Sequence, residues 1–395
     1  MFKTIHSAHK MMPTSYSPDY IAKCPPILKW LFFPFGLHVT LQHSKSTSKI
    51  MSKLSHALFI FHVVYHAVIF FYYLAALIVY LRRDETDHLH AVNNFSFILS
   101  LPISFITYVI FHTRQSGVSR VFNNLTSLPS SKMFSRKNWR LFIFGNIFTI
   151  LLHVLFALTS LVLELTNEHL MEDYCDYMVF MAPDVCEDEE ISRKVALAFT
   201  IIDIYEYSTT YFFITLCCVF FSLVCHLLAL DLHQIYVELR GKVNSRSCLN
   251  SAEISDLRVK FLGANRMVKT VSHLLSPLVL LWLMYTLLTI CTSIRTTITE
   301  SFDGVHQLIT PAIELIRFYL LYKNASSIRQ ENSCTKLALV NGLCIVLKLY
   351  NHFQFLLQSS NTGIAVSGLF VIDSHCVISA IIAIVAYTVI IFETR

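Results

Sequence analysis

Ala386-Tyr387-Thr388-Val389-Ile390-Ile391-Phe392-Glu393-Thr394 stands at the end of an apolar run from 364 to 392, and the reading of that run decides the fold. A hydrocarbon core of about 30 Å is crossed by about 20 helical residues, so the run is long enough to span a membrane. Moving upstream, further apolar runs of spanning length lie at 54–81, 95–112, 141–163, 196–230, 271–294 and 305–322. Together they make seven expected spans. An eighth possibility is 337–357, which only Lys348, Asn351, His352 and Gln354 interrupt strongly.

The whole chain is 54% hydrophobic and 14% charged, with a mean hydropathy of +0.55. A water-soluble domain cannot hide that much apolar surface, so lipid must cover part of it. The charges are sorted along the chain. Lys and Arg number seven in 1–53, two in 82–94, five in 113–139, two in 164–195, seven in 231–270, none in 298–304 and three in 323–336. By the positive-inside rule this alternation predicts a cytoplasmic N-terminus, and seven crossings then put Arg395 outside. If 337–357 also spans, the C-terminus returns inside. No cleavable signal peptide is expected before the first span. No basic, aromatic-interleaved groove suggests nucleic acid.

The basic-poor loop 164–195 carries ten acids, from Glu164 to Glu190, and is expected to be extracellular. Cys175 and Cys186 both fall in it, where an oxidising exterior permits either a disulfide or two free thiols. Asn94-Phe95-Ser96 matches a glycosylation acceptor but abuts a span. Asn124-Leu125-Thr126 and Asn324-Ala325-Ser326 match too, on the predicted cytoplasmic side.

The basic segment 231–270 does not read as a loop. Leu227, Leu228, Leu230, Leu232, Ile235, Tyr236 and Leu239 recur at helical spacing as far as Gly241, a stop signal. Ser251-Ala252-Glu253 then restarts a helix through Leu257, Phe261, Leu262, Ala264, Val268 and Val271. An apolar stripe continuing outside lipid needs a partner surface. Helical stretches at 225–241, 252–272, 322–333 and 336–358 are therefore expected to pack together beyond the membrane.

These features resemble the arthropod gustatory receptor family, seven-helix ligand-gated cation channels whose last helix ends in Thr-Tyr, five hydrophobic residues and Gln-Phe. Tyr387 and the five-residue apolar spacer match, while Ala386, Glu393 and Thr394 depart. Further likeness lies in Leu257-Arg258 through Asn265, His273-Leu274-Leu275, Phe353, Leu356-Leu357-Gln358, Ala365, Gly368-Leu369-Phe370 and Ile372-Asp373. It covers roughly the last 170 residues. The resemblance implies an all-α polytopic plasma-membrane protein divided into a cytoplasmic segment 1–53, spans one to four over 54–230, spans five and six with a cytoplasmic anchor over 231–358, and a pore-lining final helix in 359–395. It also implies a homo- or hetero-tetramer of such subunits, passing cations, in which 337–357 joins the anchor rather than crossing.

Ile378, Ile382, Val385, Val389 and Phe392 make one apolar stripe on the final helix, as simple packing also would. Under the resemblance, Val385, Val389 and Phe392 become pore residues, the outer two a hydrophobic gate, and Tyr387 a motif residue. Glu393 is either a solvated end residue or a member of a fourfold carboxylate ring that concentrates cations.

Ionisable residues inside spans tend to face a cavity or a partner. Asp203 and Glu206 share a face of span four, near Tyr205, Tyr207 and Tyr211; Glu314 and Arg317 in span six are spaced to pair. The family's tastant pocket, in the outer half of the bundle, maps by region to Asp203, Tyr207 and Tyr211, to Tyr285, Thr289 and Arg295, and to His306, Gln307, Glu314 and Arg317. Such a set suits a small polar or amphipathic molecule.

His62 and His66 share one helix face, yet two ligands do not complete a metal site, and neither metal nor cofactor is expected. The phosphate-loop, HExxH and GxSxG patterns are absent, so the chain is not expected to be an enzyme. A heptahelical receptor coupled to G proteins shares only the span number, lacking its acidic-Arg-Tyr and NPxxY signatures. A transporter reading finds no internal repeat.

Overall fold

The structure is a computed structural model that describes residues 32–36, 49–80, 88–127, 148, 151–152, 155, 158–159, 189–244, 251–299, 306–343, 363–366, 370–372 and 374–393. Its helices are α1 (Lys49–Tyr80), α2 (His88–Thr113), α3 (Gln115–Ser127), α4 (Glu189–Asn244), α5 (Ser251–Thr299) and α6 (His306–Leu343), then strands β1 (Ala365–Val366) and β2 (Phe370–Val371), and α7 (Ser374–Glu393). Six expected spans coincide with α1, α2, α4, α5, α6 and α7. The third, 141–163, lies mostly outside the described residues, as does the loop with Cys175 and Cys186.

Ile50–Val79, Ile204–Lys242 and Ser255–Ile294 are long and apolar enough to cross a membrane, and Leu99–Thr113 and Ile378–Val389 are shorter apolar helices. The outer face of α1 leaves Phe61, Val64, Val68 and Phe71 exposed; α7 leaves Ile378, Ile381, Ile382, Val385 and Val389 exposed. In water such faces would be heavily penalised, whereas lipid solvates them. The chain is an all-α polytopic membrane protein.

Helix α4 is the axis of the bundle. It contains no proline, and its one glycine, Gly241, stands in its last turn. Every side chain from Phe213 to Cys225 is buried, as expected of a helix apolar all round. It packs against α6 most extensively and also meets α2, α3 and α5, while α5 is flanked by α2, α6 and α7.

The stripes predicted beyond the spans are buried: Leu232, Ile235 and Leu239 on α4 face a core shared with Leu257, Phe261, Ala264, Val268 and Val271 on α5. Each of the larger side chains stabilises the hairpin by roughly 1.5–3 kcal/mol relative to exposure, and Ala264 by less. Lys260 pairs with Glu238 at 3.2 Å, Lys242 with Glu253 at 3.2 Å, and His233 Nδ1 with Glu331 Oε2 at 3.0 Å. Exposed pairs of this kind set orientation more than stability. Helix α4 passes Gly241 and ends at Asn244, and α6 runs unbroken through Lys336 to Leu343, so the first residues of the run 337–357 belong to α6. Residues 344–357 lie outside the described set.

The expected span 364–392 is corrected at its start. Helix α7 begins only at Ser374, and the residues before it form an antiparallel hairpin pairing Ala365 with Val371 and Val366 with Phe370. The Ile372 N–H donates to the Ile364 carbonyl at 3.1 Å. β-Branched residues flank Ser367-Gly368, a turn signal that the hydropathy reading ignores. Gly363 has no room for a Cβ, which would strike the Val371 side chain. With 20 residues, α7 still measures about 30 Å, the thickness of a hydrocarbon core.

The chain also enters the core before the first span. Phe32-Phe33-Pro34-Phe35-Gly36 forms a short turn whose Phe32 and Phe35 are buried. Phe32 sits edge-on to Phe220 at 5.6 Å, and Phe35 packs on Phe213 at 5.0 Å. Gly36 adopts φ 70°, and its carbonyl accepts the Ser55 hydroxyl at 2.6 Å.

Pro277 interrupts α5 and removes the N–H that the His273 carbonyl would accept. Arg114, at the α2–α3 corner, supplies the missing donor: its Nη1 reaches the carbonyls of His273 at 2.9 Å and Leu274 at 2.7 Å. Arg114→Ala is expected to lower stability by about 1–3 kcal/mol, read as thermal unfolding of the detergent-purified protein. In a Pro277→Ala background, where the N–H is restored, the loss should shrink; equal losses in both backgrounds would sink the account.

Candidate ligand-binding site

Four of the ten pocket residues predicted from sequence meet in one buried cluster where α4, α5 and α6 cross. Tyr211 comes from α4, Tyr285 from α5, and Glu314 and Arg317 from α6; Glu314, Arg317 and Tyr285 are essentially inaccessible. The spacing of Glu314 and Arg317 puts them one turn apart, and the guanidinium forms an ion pair with the Glu314 carboxylate. Arg317 Nε donates to Thr215 Oγ1 at 2.7 Å, and Nη2 donates to the Tyr211 carbonyl at 2.8 Å. The guanidinium carbon also lies 5.5 Å from the centre of the Tyr211 ring, within cation–π range. The Tyr211 and Tyr285 rings are 6.2 Å apart.

All three guanidinium nitrogens are therefore engaged by protein, and the pair is electrically neutral. A buried charge is tolerable only with partners on this scale. Around the pair, the buried Thr286 hydroxyl faces the Glu314 carboxyl and the Tyr285 hydroxyl faces Tyr211.

Thr289, also predicted, is buried one turn beyond Tyr285 and donates its hydroxyl to the Tyr285 carbonyl at 3.0 Å, a helical back-bond that leaves it outside the polar centre. Asp203, Tyr207, Arg295, His306 and Gln307 fall in α4, α5 and α6, and their side chains lie outside the described set. Glu206 is buried on α4. Thr215 and Thr286 were missed by the sequence reading. Their signal was a threonine inside an otherwise apolar run, with Thr215 four residues after Tyr211 and so on its face.

His62 and His66 belong to a second polar line beside this cluster. His62 Nε2 lies 3.0 Å from the Pro34 carbonyl, which can only accept, so Nε2 carries the proton and Nδ1 faces the Tyr205 hydroxyl at 3.5 Å. His66 Nδ1 donates to the His62 carbonyl at 2.8 Å, leaving Nε2 toward Thr210 Oγ1 at 3.4 Å and Ser104 Oγ at 3.5 Å. The two rings join the entering turn at Pro34 to α4.

On α7, Val385 and Val389 are exposed and Tyr387 is half-buried, while the side chains of Phe392 and Glu393 lie outside the described set.

This arrangement of helices is a known one. The chain is similar to the solved structure of the insect olfactory receptor OR5 from Machilis hrabei, with a TM-score of 0.60 and 13% identity over 93% of this chain and 96% of that one. The same receptor in complex with eugenol gives a TM-score of 0.62 at the same identity and coverage. No protein-family model matches the sequence, and no curated protein matches it. At that identity the likeness is one of fold, carried along almost the full length of both chains.

Proposed function

We propose that this chain is a ligand-gated, nonselective cation channel of the gustatory type, opened by a small-molecule tastant in chemosensory neurons. The observation that carries the reading is the fold shared with an insect olfactory receptor over 93% of the chain, a receptor that also has a solved complex with a small organic molecule, eugenol. The gustatory assignment rests on Tyr387 with its apolar spacer and on the motifs before the last helix. In this reading seven spans cross the plasma membrane, with the N-terminus cytoplasmic and the C-terminus outside. Four subunits, alike or mixed, surround one pore lined by α7. The exposed Val385 and Val389 face that pore or a second copy, and Phe392 and Glu393 stand at its outer mouth. The α4–α5–α6 cluster of Tyr211, Tyr285, Glu314 and Arg317 receives the ligand, with Asp203, Tyr207, Thr289, Arg295, His306 and Gln307 around it. Ligand affinity must be higher in the open arrangement for binding to open the pore.

The deciding test is surface labelling of epitopes at the N-terminus and after Arg395, in intact and permeabilised cells. Labelling of only the C-terminal tag in intact cells is the expected result. An exposed N-terminus with a hidden C-terminus would favour coupling to G proteins, and two hidden termini would make 337–357 a span. Once currents are recorded, Glu393→Gln is expected to lower relative calcium permeability and weaken divalent block. Unchanged values would remove Glu393 from the mouth.

A further inference from the structure

We propose that the corner where α1, α2 and α5 meet holds the headgroup of a multiply phosphorylated inositol lipid from the adjoining leaflet, with Arg266 and Lys269 as its charged ligands and His273 as a hydrogen-bond donor. The inference goes beyond the ligand site and the pore, and it rests on the cytoplasmic N-terminus proposed above, which makes that leaflet the cytoplasmic one. Two contacts define the corner. The His56 ring on α1 lies 5.7 Å from that of His112 on α2, and Arg114, where α2 turns into α3, donates to the carbonyls of His273 and Leu274 on α5. Arg266, Lys269 and His273 follow one another at steps of three and four, which puts them on one face of α5, and all three are exposed.

The corner has no anion of its own. No Asp or Glu occurs between Asp19 and Asp84, between Asp87 and Glu164, or between Asp256 and Glu300, so α1, α2 and α3 carry no acid and α5 carries none after Asp256. The hairpin tip is built the other way. There Lys260 is held by Asp256 at 2.9 Å and Glu238 at 3.2 Å, and Lys242 by Glu253 at 3.2 Å. The side chains of Arg266 and Lys269 make no hydrogen bond or ion pair among the described residues. Cations gathered beside a membrane without acids attract anionic headgroups.

Position along α5 selects the headgroup. The helix is free of charged residues from Leu274 to Ile294, a stretch that matches a hydrocarbon core of about 30 Å. Lys269 then stands about 7 Å outside that core and Arg266 about 12 Å outside it. The headgroup layer is roughly 5–8 Å deep on each side. Lys269 therefore meets the diester phosphates, and Arg266 stands past them. A phosphate at the level of Arg266 must be carried by a headgroup that projects into water, as the ring phosphates of an inositol lipid do. Phosphatidylserine carries its charge at the first level alone.

Binding is read on the full-length, detergent-purified protein, titrated with fluorescent dioctanoyl phosphatidylinositol bisphosphate and followed by anisotropy. Unlabelled lipid, dioctanoyl phosphatidylserine and soluble inositol trisphosphate serve as competitors. Saturable binding is expected, displaced best by the unlabelled inositol lipid. Arg266→Gln and Lys269→Gln lie on an exposed face and are not expected to affect folding. Each should lower the affinity about fivefold, typical of one cation near an anionic lipid surface. Lys260→Gln removes a cation that acids already hold and should leave the affinity unchanged. Absence of saturable binding, native affinity in both corner variants, an equal loss in Lys260→Gln, or equal displacement by phosphatidylserine overturns the proposal. Tighter binding of the soluble trisphosphate than of the lipid overturns a membrane occupant. The titration needs neither current nor sidedness, so its failure is distinct from failure of the channel reading. An exposed N-terminal epitope, with binding intact, would instead overturn the cytoplasmic leaflet.

Discussion

Arg317→Leu is expected to leave little folded protein, with a loss of about 3–5 kcal/mol, because it strips the paired cation from a buried carboxylate, while the Thr215 hydroxyl keeps its bond to the Tyr211 carbonyl. The check is the fraction of monodisperse protein after detergent extraction and its unfolding midpoint. Replacing both partners, with Glu314→Leu joined to Arg317→Met, should recover much of the loss, since two apolar side chains of similar volume need no counter-charge. Recovery in the double variant separates the cost of an unpaired charge from the cost of a missing side chain. A single variant as stable as the native protein would mean that the pair is not buried as described.

Gly36→Ala is the second large effect. A Cβ at this position would stand 2.5 Å from the Phe59 backbone nitrogen and 2.7 Å from the Ser55 carbonyl oxygen, and backbone cannot give way as a flexible side chain can. The left-handed φ of 70° adds its own cost for any residue with a Cβ. The cheaper outcome for the chain is to unseat the whole turn, which exposes Phe32 and Phe35 at roughly 1.5–3 kcal/mol each. A loss of about 4 kcal/mol is expected in thermal unfolding. Gly241→Ala is the control: it is helical, has no neighbour within 4 Å, and should gain up to about 1 kcal/mol from helix propensity. Equal behaviour of the two variants would rule out the seated turn.

Much of the fold was legible because lipid demands long apolar helices, and hydropathy reports length directly. The helical extensions past the spans were legible for a different reason: Leu232, Ile235, Leu239, Leu257, Phe261 and Val268 keep a 3.6 period where polar residues surround them. Hydropathy failed at 364–372, where a β-hairpin and a helix have the same composition and only Ser367-Gly368 distinguishes them. It failed again at Phe32–Gly36, too short for any window, whose burial depends on tertiary contacts with Phe213 and Phe220. At the candidate site, charge inside a span singled out Glu314 and Arg317, since ionised groups there must be explained. Thr215 and Thr286 carry no such flag, because a threonine can bond its own helix and pass as filler. Rotation about a helix axis decides which hydroxyl faces the cluster, and spacing alone cannot supply it.

The uninterrupted course of α4 has a mechanical consequence. Its 56 residues make a rod of about 84 Å, and some 50 Å of it lie between Tyr211 and the hairpin tip at Asn244. A tilt of about 5° at the tyrosine would sweep that tip by about 4 Å and Glu238 by about 3.5 Å, comparable to the 3.2 Å Lys260–Glu238 contact that ties the helix to its neighbour. Under the proposed receptor reading, any tilt that accompanied ligand binding would thus be magnified at the tip of the α4–α5 hairpin. Under that reading, thermodynamic reciprocity requires that a binder clamping the tip in one tilt change ligand affinity by the same factor by which the ligand changes the binder's affinity.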